Sequence, residues 1–328
     1  MKKKIAVVTG GNSGEYEISL KSGKNIADKI DKNIYDVYLI YIQGTKWFYT
    51  YQNINIDIDK NDFSLSLKGE KIIFDCVFIA IHGNPGENGK LQGYFDMLNI
   101  PYTGCDVLVS SLTFNKNYCN RVLNTYGIQT ASSVHLFKTS IINCEDIIKQ
   151  IGLPCFVKPC NSGSSVGMSK VKKQEELLPA IARAFEWDNQ ILIEKFIDGR
   201  EITCGVMAIH NEIKTLAITE IISKKEYFDF EAKYNPALAD EITPADLTPE
   251  IQALCEEKSK KIYQVLGCKG IVRIDYIFNQ DDMYFIEVNT IPGQTNESLV
   301  PKQIAQCKMD FSQLCSNLIE EAIAERQS

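Results

Sequence analysis

The stretch Gly270-Ile-Val-Arg273-Ile-Asp275-Tyr-Ile-Phe-Asn279-Gln-Asp-Asp282-Met-Tyr-Phe-Ile-Glu287-Val-Asn289 decides how this chain is read. Both flanks alternate with period two and are rich in β-branched and aromatic residues. The middle, from Asn279 to Asp282, is polar turn material, so the pattern predicts a β-hairpin. A reversal at about Asp281 sets Asp275 opposite Glu287 and Arg273 opposite Asn289, and alternation puts all four side chains on one face. Two carboxylates, an amide oxygen and a guanidinium on one patch suit a hard divalent cation holding phosphate, with an extra positive charge beside it. The same residues also fit a solvent face laced with cross-strand salt bridges. The hairpin alone leaves both readings open.

Working outward, strands and helices alternate as in α/β proteins. Residues 5–9, 17–30 and 35–42 read as strand, helix and strand, an opening βαβ unit with a parallel sheet. A hairpin-like region at 46–67 precedes a strand at 76–81, which ends at His82-Gly83. A short helix (91–98), a small strand (100–102) and a helix (115–126) follow. Antiparallel strands at 155–158 and 168–171 flank a glycine-rich loop, followed by a helix at 175–187 and a strand at 190–194. Residues 202–209 and 214–222 form another hairpin, 227–240 a lid-like segment and 249–266 a helix. The last helix, 310–325, carries Phe311, Leu314, Cys315, Leu318 and Ile319 at helical spacing behind an Asp N-cap, a core-packing stripe. Boundaries near Gly104 and Ile193 divide the chain into units 1–104, 105–193 and 194–328.

Composition limits the partners. The chain has 328 residues, 45% hydrophobic and 23% charged, a formal net charge of −7 and a pI near 5.2. No broad basic surface is available for nucleic acid or an anionic membrane, although local lysines can still bind a small anion. Eleven cysteines is an odd count and no Cys-x-x-Cys pair exists, which argues for reduced thiols in a cytosolic protein over a disulfide framework or zinc site. The apolar run after Lys2–Lys4 is too short for a signal peptide and reads as a first strand. No 18-residue apolar segment appears.

Several further segments carry chemistry. In Phe156-Val-Lys158-Pro-Cys-Asn161-Ser-Gly163-Ser164-Ser165-Val-Gly167-Met168, a lysine at a strand end precedes a Gly/Ser loop that can aim N–H groups and hydroxyls at phosphate. The order Gly-x-x-x-x-Gly-Lys-Ser/Thr is absent, and a strand follows, so this is not a loop that feeds a helix N-terminus. A plain hairpin turn is the other reading. The first βα turn, Gly10-Gly-Asn-Ser13-Gly-Glu15-Tyr-Glu17, fails the dinucleotide pattern at Asn12. Its Glu15 disfavours a pyrophosphate and fits a cationic group such as an ammonium. His82-Gly-Asn-Pro-Gly86-Glu87-Asn-Gly89 follows a buried strand, where open α/β sheets place ligand groups. Glu194 to Glu201 offers backbone groups and acids for an adenosine.

In this order the motifs resemble the D-alanine–D-alanine ligase family of the ATP-grasp superfamily, from residue 5 to about 301. The matching runs begin with Gly10 to Leu20, His82-Gly to Gly93, Lys158-Pro and Gly163-Ser-Ser-Val-Gly-Met-Ser-Lys170. They continue with Glu231-Ala-Lys-Tyr234, Arg273-Ile-Asp275, Glu287-Val-Asn-Thr-Ile-Pro-Gly293 and Asn296-Glu-Ser298-Leu-Val-Pro301. Any one is weak, but their shared order is specific. Two positions depart from the pattern: Asn161-Ser162 stands where many members carry a charged residue, and Gln294 replaces a usual apolar residue.

The resemblance implies a mixed α/β chain of three-domain ATP-grasp architecture, with an N-terminal parallel-sheet, Rossmann-like domain and two α+β domains clasping ATP. It implies ATP-dependent joining of two D-alanines through an acyl phosphate, for peptidoglycan synthesis. Lys116, Lys158 and Lys233 would hold ATP phosphates under Ser165. Glu194, the backbone of Lys195 and Ile197, and Glu201 would bind adenine and ribose. Asp275, Glu287 and Asn289 would ligate two Mg²⁺ (or Mn²⁺) ions. Glu15 would take the first D-alanine's ammonium, with His82 near its carboxylate, and Ser298 and Leu299 would hold the second D-alanine's carboxylate. Tyr234, Ser164 and Glu15 would link the lid to the substrate, and Arg273 with the N–H of Gly293 would stabilise the tetrahedral intermediate. A homodimer is the family's suggestion. The alternatives are a ligase joining D-alanine to D-lactate or another second substrate, and a non-catalytic ATP-binding regulator. All of Arg273, Asp275, Glu287 and Asn289 are present, which argues against the regulator.

Overall fold

The protein is described here by a computed structural model covering residues 2–209, 212–224, 238–280 and 282–327. Its first sheet comprises β1 (Lys3–Gly10), β2 (Tyr35–Gln43), β3 (Lys46–Tyr51), β4 (Ile54–Asp59), β5 (Ser64–Leu67), β6 (Glu70–Ile72) and β7 (Cys76–Ile79), ordered β6-β5-β4-β3-β2-β1-β7. Helix α1 (Tyr16–Lys29) crosses from β1 to β2, and α2 (Lys90–Met97) follows β7. Only β2, β1 and β7 are parallel. The expected parallel sheet is thus a mixed one, because residues 46–72 add a four-strand antiparallel meander. The short connections there, such as Gly44-Thr45 and Gln52-Asn53, can only join antiparallel neighbours. The small strand expected at 100–102 reduces to a single bridge between Val77 and Tyr102.

Helices α3 (Val107–Phe114) and α4 (Lys116–Thr125) come next, each started by a side-chain cap. Asp106 accepts from Val109 N (2.9 Å), and Asn115 accepts from Tyr118 N (3.0 Å). The second sheet is antiparallel and ordered β10-β9-β11-β8, with β8 (Ser133–Phe137), β9 (Cys155–Pro159), β10 (Ser169–Val171) and β11 (Gln190–Lys195). Helices α5 (Cys144–Ile151) and α6 (Gln174–Ala184) close one face over Val157, Ile191 and Ile193. Lys158, Phe156 and Glu194 stand on the opposite face, by strand alternation.

The third sheet, also antiparallel, is ordered β14-β13-β12-β15-β16: β12 (Arg200–Ile209), β13 (Glu212–Ser223), β14 (Ala239–Ile242), β15 (Ile271–Asn279) and β16 (Asp282–Asn289). Helix α7 (Pro249–Leu266) covers one face. It begins with Thr248 as cap and Pro249 in its first turn, and ends at left-handed Gly267 (φ 71°). Its core, with Val272, Ile274, Phe285 and Val288, also takes in Val109, Cys119 and Leu123 of α3 and α4. The packing therefore does not follow chain order, and α4 is fixed to the sheet that carries the Arg273–Asn289 face. Helices α8 (Leu299–Gln306) and α9 (Phe311–Gln327) complete the chain. As its periodicity predicts, α9 buries Leu314, Cys315, Leu318 and Ile319, here against Ile5, Val7 and Ile26 of the first sheet's layer. All eleven cysteines are free, and no helix among the described residues is long and apolar enough to cross a membrane.

Candidate active site

The hairpin β15–β16 has the register that the sequence predicts at its functional end: Arg273 pairs with Asn289 and Asp275 with Glu287. It arrives there by an unexpected route. The turn pairs Asn279 with Asp282, and one extra residue, Ile286, bulges from β16 so that Tyr276 pairs with Phe285. Without that bulge the acids would be out of step. With Ile274 and Val288 in the core, the four polar side chains share the other face.

On this face Arg273 grips Asp275 in a bidentate pair, Nε to Oδ1 and Nη2 to Oδ2, both at 2.8 Å. Thr203 Oγ1 donates to Asp275 Oδ1 (2.6 Å), and Asn289 Nδ2 donates to Oδ2 (3.0 Å). Burial by itself lowers the Arg273 pKa, but the Asp275, Glu287 and Glu87 carboxylates outweigh it and hold the guanidinium above its usual range. Lys116, at the start of α4, pairs with Glu287 at 3.2 Å and donates to Ser162 O at 2.6 Å. Burial opposes the charge on Lys116 too, and Glu287 raises its pKa regardless. The salt-bridged arrangement is thus what the residues adopt among themselves.

A metal ion bears on the same set. Among the described residues no three His, Cys, Asp or Glu side chains cluster to hold one unaided. Asp275, Glu287 and Asn289 nonetheless offer two carboxylates and an amide oxygen on one sheet face. That is a hard donor set, suited to an ion whose remaining ligands come from phosphate and water.

The Gly/Ser loop between β9 and β10 is linked to this face through Lys116 and touches the first βα turn directly. Ser164 Oγ donates to Glu15 Oε1 at 2.6 Å. A Cβ on Gly163 would stand 2.8 Å from Glu15 Oε2, so a larger residue there would push the Glu15 carboxylate aside. Ser164 and Ser165 both take left-handed φ (51° and 58°), a strain of about 1–3 kcal/mol each that the surroundings must hold. Asn161 anchors the loop base through two bonds to Asp188 Oδ2 (2.7 and 2.9 Å), a role its departure from the family pattern did not suggest. Lys158 is buried in an ion pair with Glu194, and Asn120 Nδ2 donates to the other Glu194 oxygen at 2.9 Å. Lys195 ends β11, Ile197 follows it half-buried, and Glu201 lies in β12 opposite Ile277.

His82 is buried, and both its ring nitrogens are engaged. Nδ1 lies 2.7 Å from the Ile291 carbonyl, which can only accept, so the proton sits on Nδ1 and Nε2 accepts from Ser22 Oγ (3.0 Å). Burial lowers its pKa, keeping the ring neutral. Ser298 precedes α8 at the N-cap position without a side-chain bond to the helix, and shares a 2.8 Å hydrogen bond with Thr295 Oγ1. Leu299 opens the helix, where free N–H groups favour an anion. A Cβ on Gly293 would meet Ser298 Oγ at 2.7 Å. Lys233, Tyr234 and residues 227–237 of the expected lid lie outside the described residues.

Glu87 belongs to a quoted motif, yet sequence reasoning gave it no role. Its Oε2 accepts from Gly83 N (2.7 Å) and its Oε1 from Ile291 N (3.2 Å), tying the His82 loop to the segment leading to Gly293. Burial, reinforced by the nearby Glu15 carboxylate, pushes its pKa from 4.5 up to about 8. The folded protein therefore keeps a proton that the unfolded chain releases, so stability falls as pH rises from about 4.5 to about 8 and levels off above. Melting curves across that window should fall less steeply for Glu87→Gln; equal slopes would refute the assignment.

Two antiparallel sheets, one bearing a Lys158-Gly/Ser loop and the other an Arg-Asp-Glu-Asn hairpin, define an ATP-grasp scaffold. Comparison with known proteins narrows the class. The family profile described as "D-ala D-ala ligase N-terminus" matches residues 4–105, and "D-ala D-ala ligase C-terminus" matches residues 122–320. A D-alanine–D-alanine ligase of Flavobacterium johnsoniae is 47% identical over 98% of this chain and 100% of its own. That of Parabacteroides distasonis is 43% identical over 100% of both. Among solved structures, VanG D-Ala:D-Ser ligase from Enterococcus faecalis superposes with a TM-score of 0.86 at 32% identity, covering 98% of this chain and 100% of that one. The D-alanine–D-alanine ligase from Bacillus anthracis complexed with ATP gives 0.80 at 30% identity, covering 100% and 99%. The chain belongs to the D-alanine–D-alanine ligase family.

Proposed function

We infer that the protein uses ATP to join two D-alanines into D-alanyl-D-alanine for peptidoglycan synthesis. The observation that carries this reading is the Ser164–Glu15 hydrogen bond (2.6 Å). A loop suited to cover phosphates touches an acid suited to hold an ammonium, so phosphoryl donor and amino-acid acceptor share one site.

Glu15 takes the ammonium of the first D-alanine, whose carboxylate lies beside His82 and faces the γ-phosphate. Lys116, Lys158 and Lys233 offset the phosphate charge beneath Ser165, while Glu194, the backbone of Lys195 and Ile197, and Glu201 hold adenine and ribose. Asp275, Glu287 and Asn289 would hold two Mg²⁺ (or Mn²⁺) ions, which when bound supply positive charge at the phosphates. A carboxylate oxygen attacks the γ-phosphorus, the bond to the β-phosphate oxygen breaks, and ADP and an acyl phosphate result. The second D-alanine, its carboxylate at Ser298 and Leu299, then attacks the acyl carbon with its free amine. Arg273 and the N–H of Gly293 stabilise the oxyanion, preorganised donors being worth about 3–4 kcal/mol each, and phosphate leaves. An acyl phosphate hydrolyses in water, so the 227–240 segment is proposed as a lid, with Tyr234, Ser164 and Glu15 linking it to the substrate. The units 1–104, 105–193 and 194–328, a cytosolic location and a homodimer belong to this reading as well, the dimer on family resemblance alone.

With ATP and Mg²⁺, phosphate release should begin only when D-alanine is added, and the product should have the mass of the dipeptide. Equal rates with D-lactate or D-serine as second substrate would overturn the specificity.

A further inference from the structure

Asn120 lies on α4 one turn beyond Lys116 and is 3% exposed. Residues four apart share a helix face, and this face looks toward Ser162, Glu287 and Glu194. A carboxylate can only accept, so the bond to Glu194 Oε1 fixes the Asn120 amide with Nδ2 toward Glu194 and Oδ1 away from it. That Oδ1 is buried and meets no donor among the described residues. Buried amide oxygens are rarely left without a partner, and an orphan beside a proposed ligand group points to a donor on the ligand.

We propose that Asn120 Oδ1 and the Glu194 carboxylate together accept the two N–H groups of the exocyclic amine of adenine, making Asn120 a nucleobase-selecting residue. The proposal rests on the reading that Glu194 meets adenine. One amine carries two donors, and the pair offers two acceptors side by side. The 6-oxo group of guanine or hypoxanthine brings an acceptor to the same place, so both protein oxygens lose their partner and repel it. Sites built to hydrogen-bond a group discriminate strongly against analogues lacking it. The ion pair with Lys158 holds the Glu194 carboxylate from its other side, and side chains around the buried Asn120 Oδ1 must shift to admit the amine.

The test compares kcat/KM for ATP with that for purine riboside triphosphate, which lacks the 6-amino group, in the unaltered enzyme and in Asn120→Ala. The unaltered enzyme should prefer ATP by at least about tenfold. In Asn120→Ala the ATP value should fall while the analogue's stays within about threefold, so that the preference shrinks. Equal losses for both nucleotides would show that Asn120 only braces the fold, overturning the proposal. No preference in the unaltered enzyme would instead overturn the placement of the amine at Glu194. If Asn120→Ala does not fold, Asn120→Ser is judged by the same ratio.

Discussion

Replacing Arg273 with methionine is expected to lower kcat by about a hundred- to a thousandfold, the usual cost of losing one oxyanion donor. The effect should fall on kcat more than on the KM for ATP, because Arg273 is assigned to charge that develops only as the second amino acid attacks. The same change removes the bidentate partner of Asp275 and leaves Asp275 and Glu287 without their central cation. Breaking a buried pair on one side typically costs about 3–5 kcal/mol, so thermal unfolding should move down with activity. Arg273→Lys separates the two effects. It restores charge but not the planar fork, and should recover stability more than rate. A kcat within about tenfold of the unaltered enzyme for Arg273→Met would remove Arg273 from the chemistry.

The second large effect is expected at Glu287. Glu287→Gln preserves shape while removing a charge that faces Lys116 at 3.2 Å. Its carboxylate raises the Lys116 pKa against burial, so the variant should weaken both the lysine proposed to hold phosphate and the proposed metal set. A fall in kcat of about a hundredfold or more is expected, with the Mg²⁺ concentration for half-maximal rate moving up. A rate within about threefold, at unchanged Mg²⁺ dependence, would refute the metal assignment.

The hairpin shows what the sequence could and could not disclose. Period-two alternation determines which residues share a face, and polar residues mark the turn, so the pairing of Asp275 with Glu287 was readable. The bulge at Ile286 was not, because nothing local distinguishes an unpaired isoleucine from a paired one. In α3, Val107-Leu-Val-Ser-Ser-Leu-Thr-Phe114 mixes apolar and small residues without helical periodicity, which hid the helix. Strand β8 and the helices α5 and α8 are short, and short elements carry weak periodic signals. Residues 46–67 were visible as hairpin-like, but whether such a hairpin stands apart or extends the sheet depends on pairing across space. Motif order singled out Lys116, Lys158, the loop and the acids, which the structure joins in pairs: Lys116 with Glu287, Lys158 with Glu194 and Ser164 with Glu15. Glu87 and Asn120 stayed silent because their roles are set by distant partners: Ile291 for one, Glu194 for the other.

The central claim is that the first D-alanine's carboxylate is activated by transfer of the γ-phosphoryl group. It is tested most directly with D-alanine labelled with ¹⁸O in its carboxylate. The account predicts that each dipeptide formed is matched by one inorganic phosphate carrying a single ¹⁸O from the amino acid, with ADP unlabelled. Unlabelled phosphate, or label appearing in AMP, would contradict it.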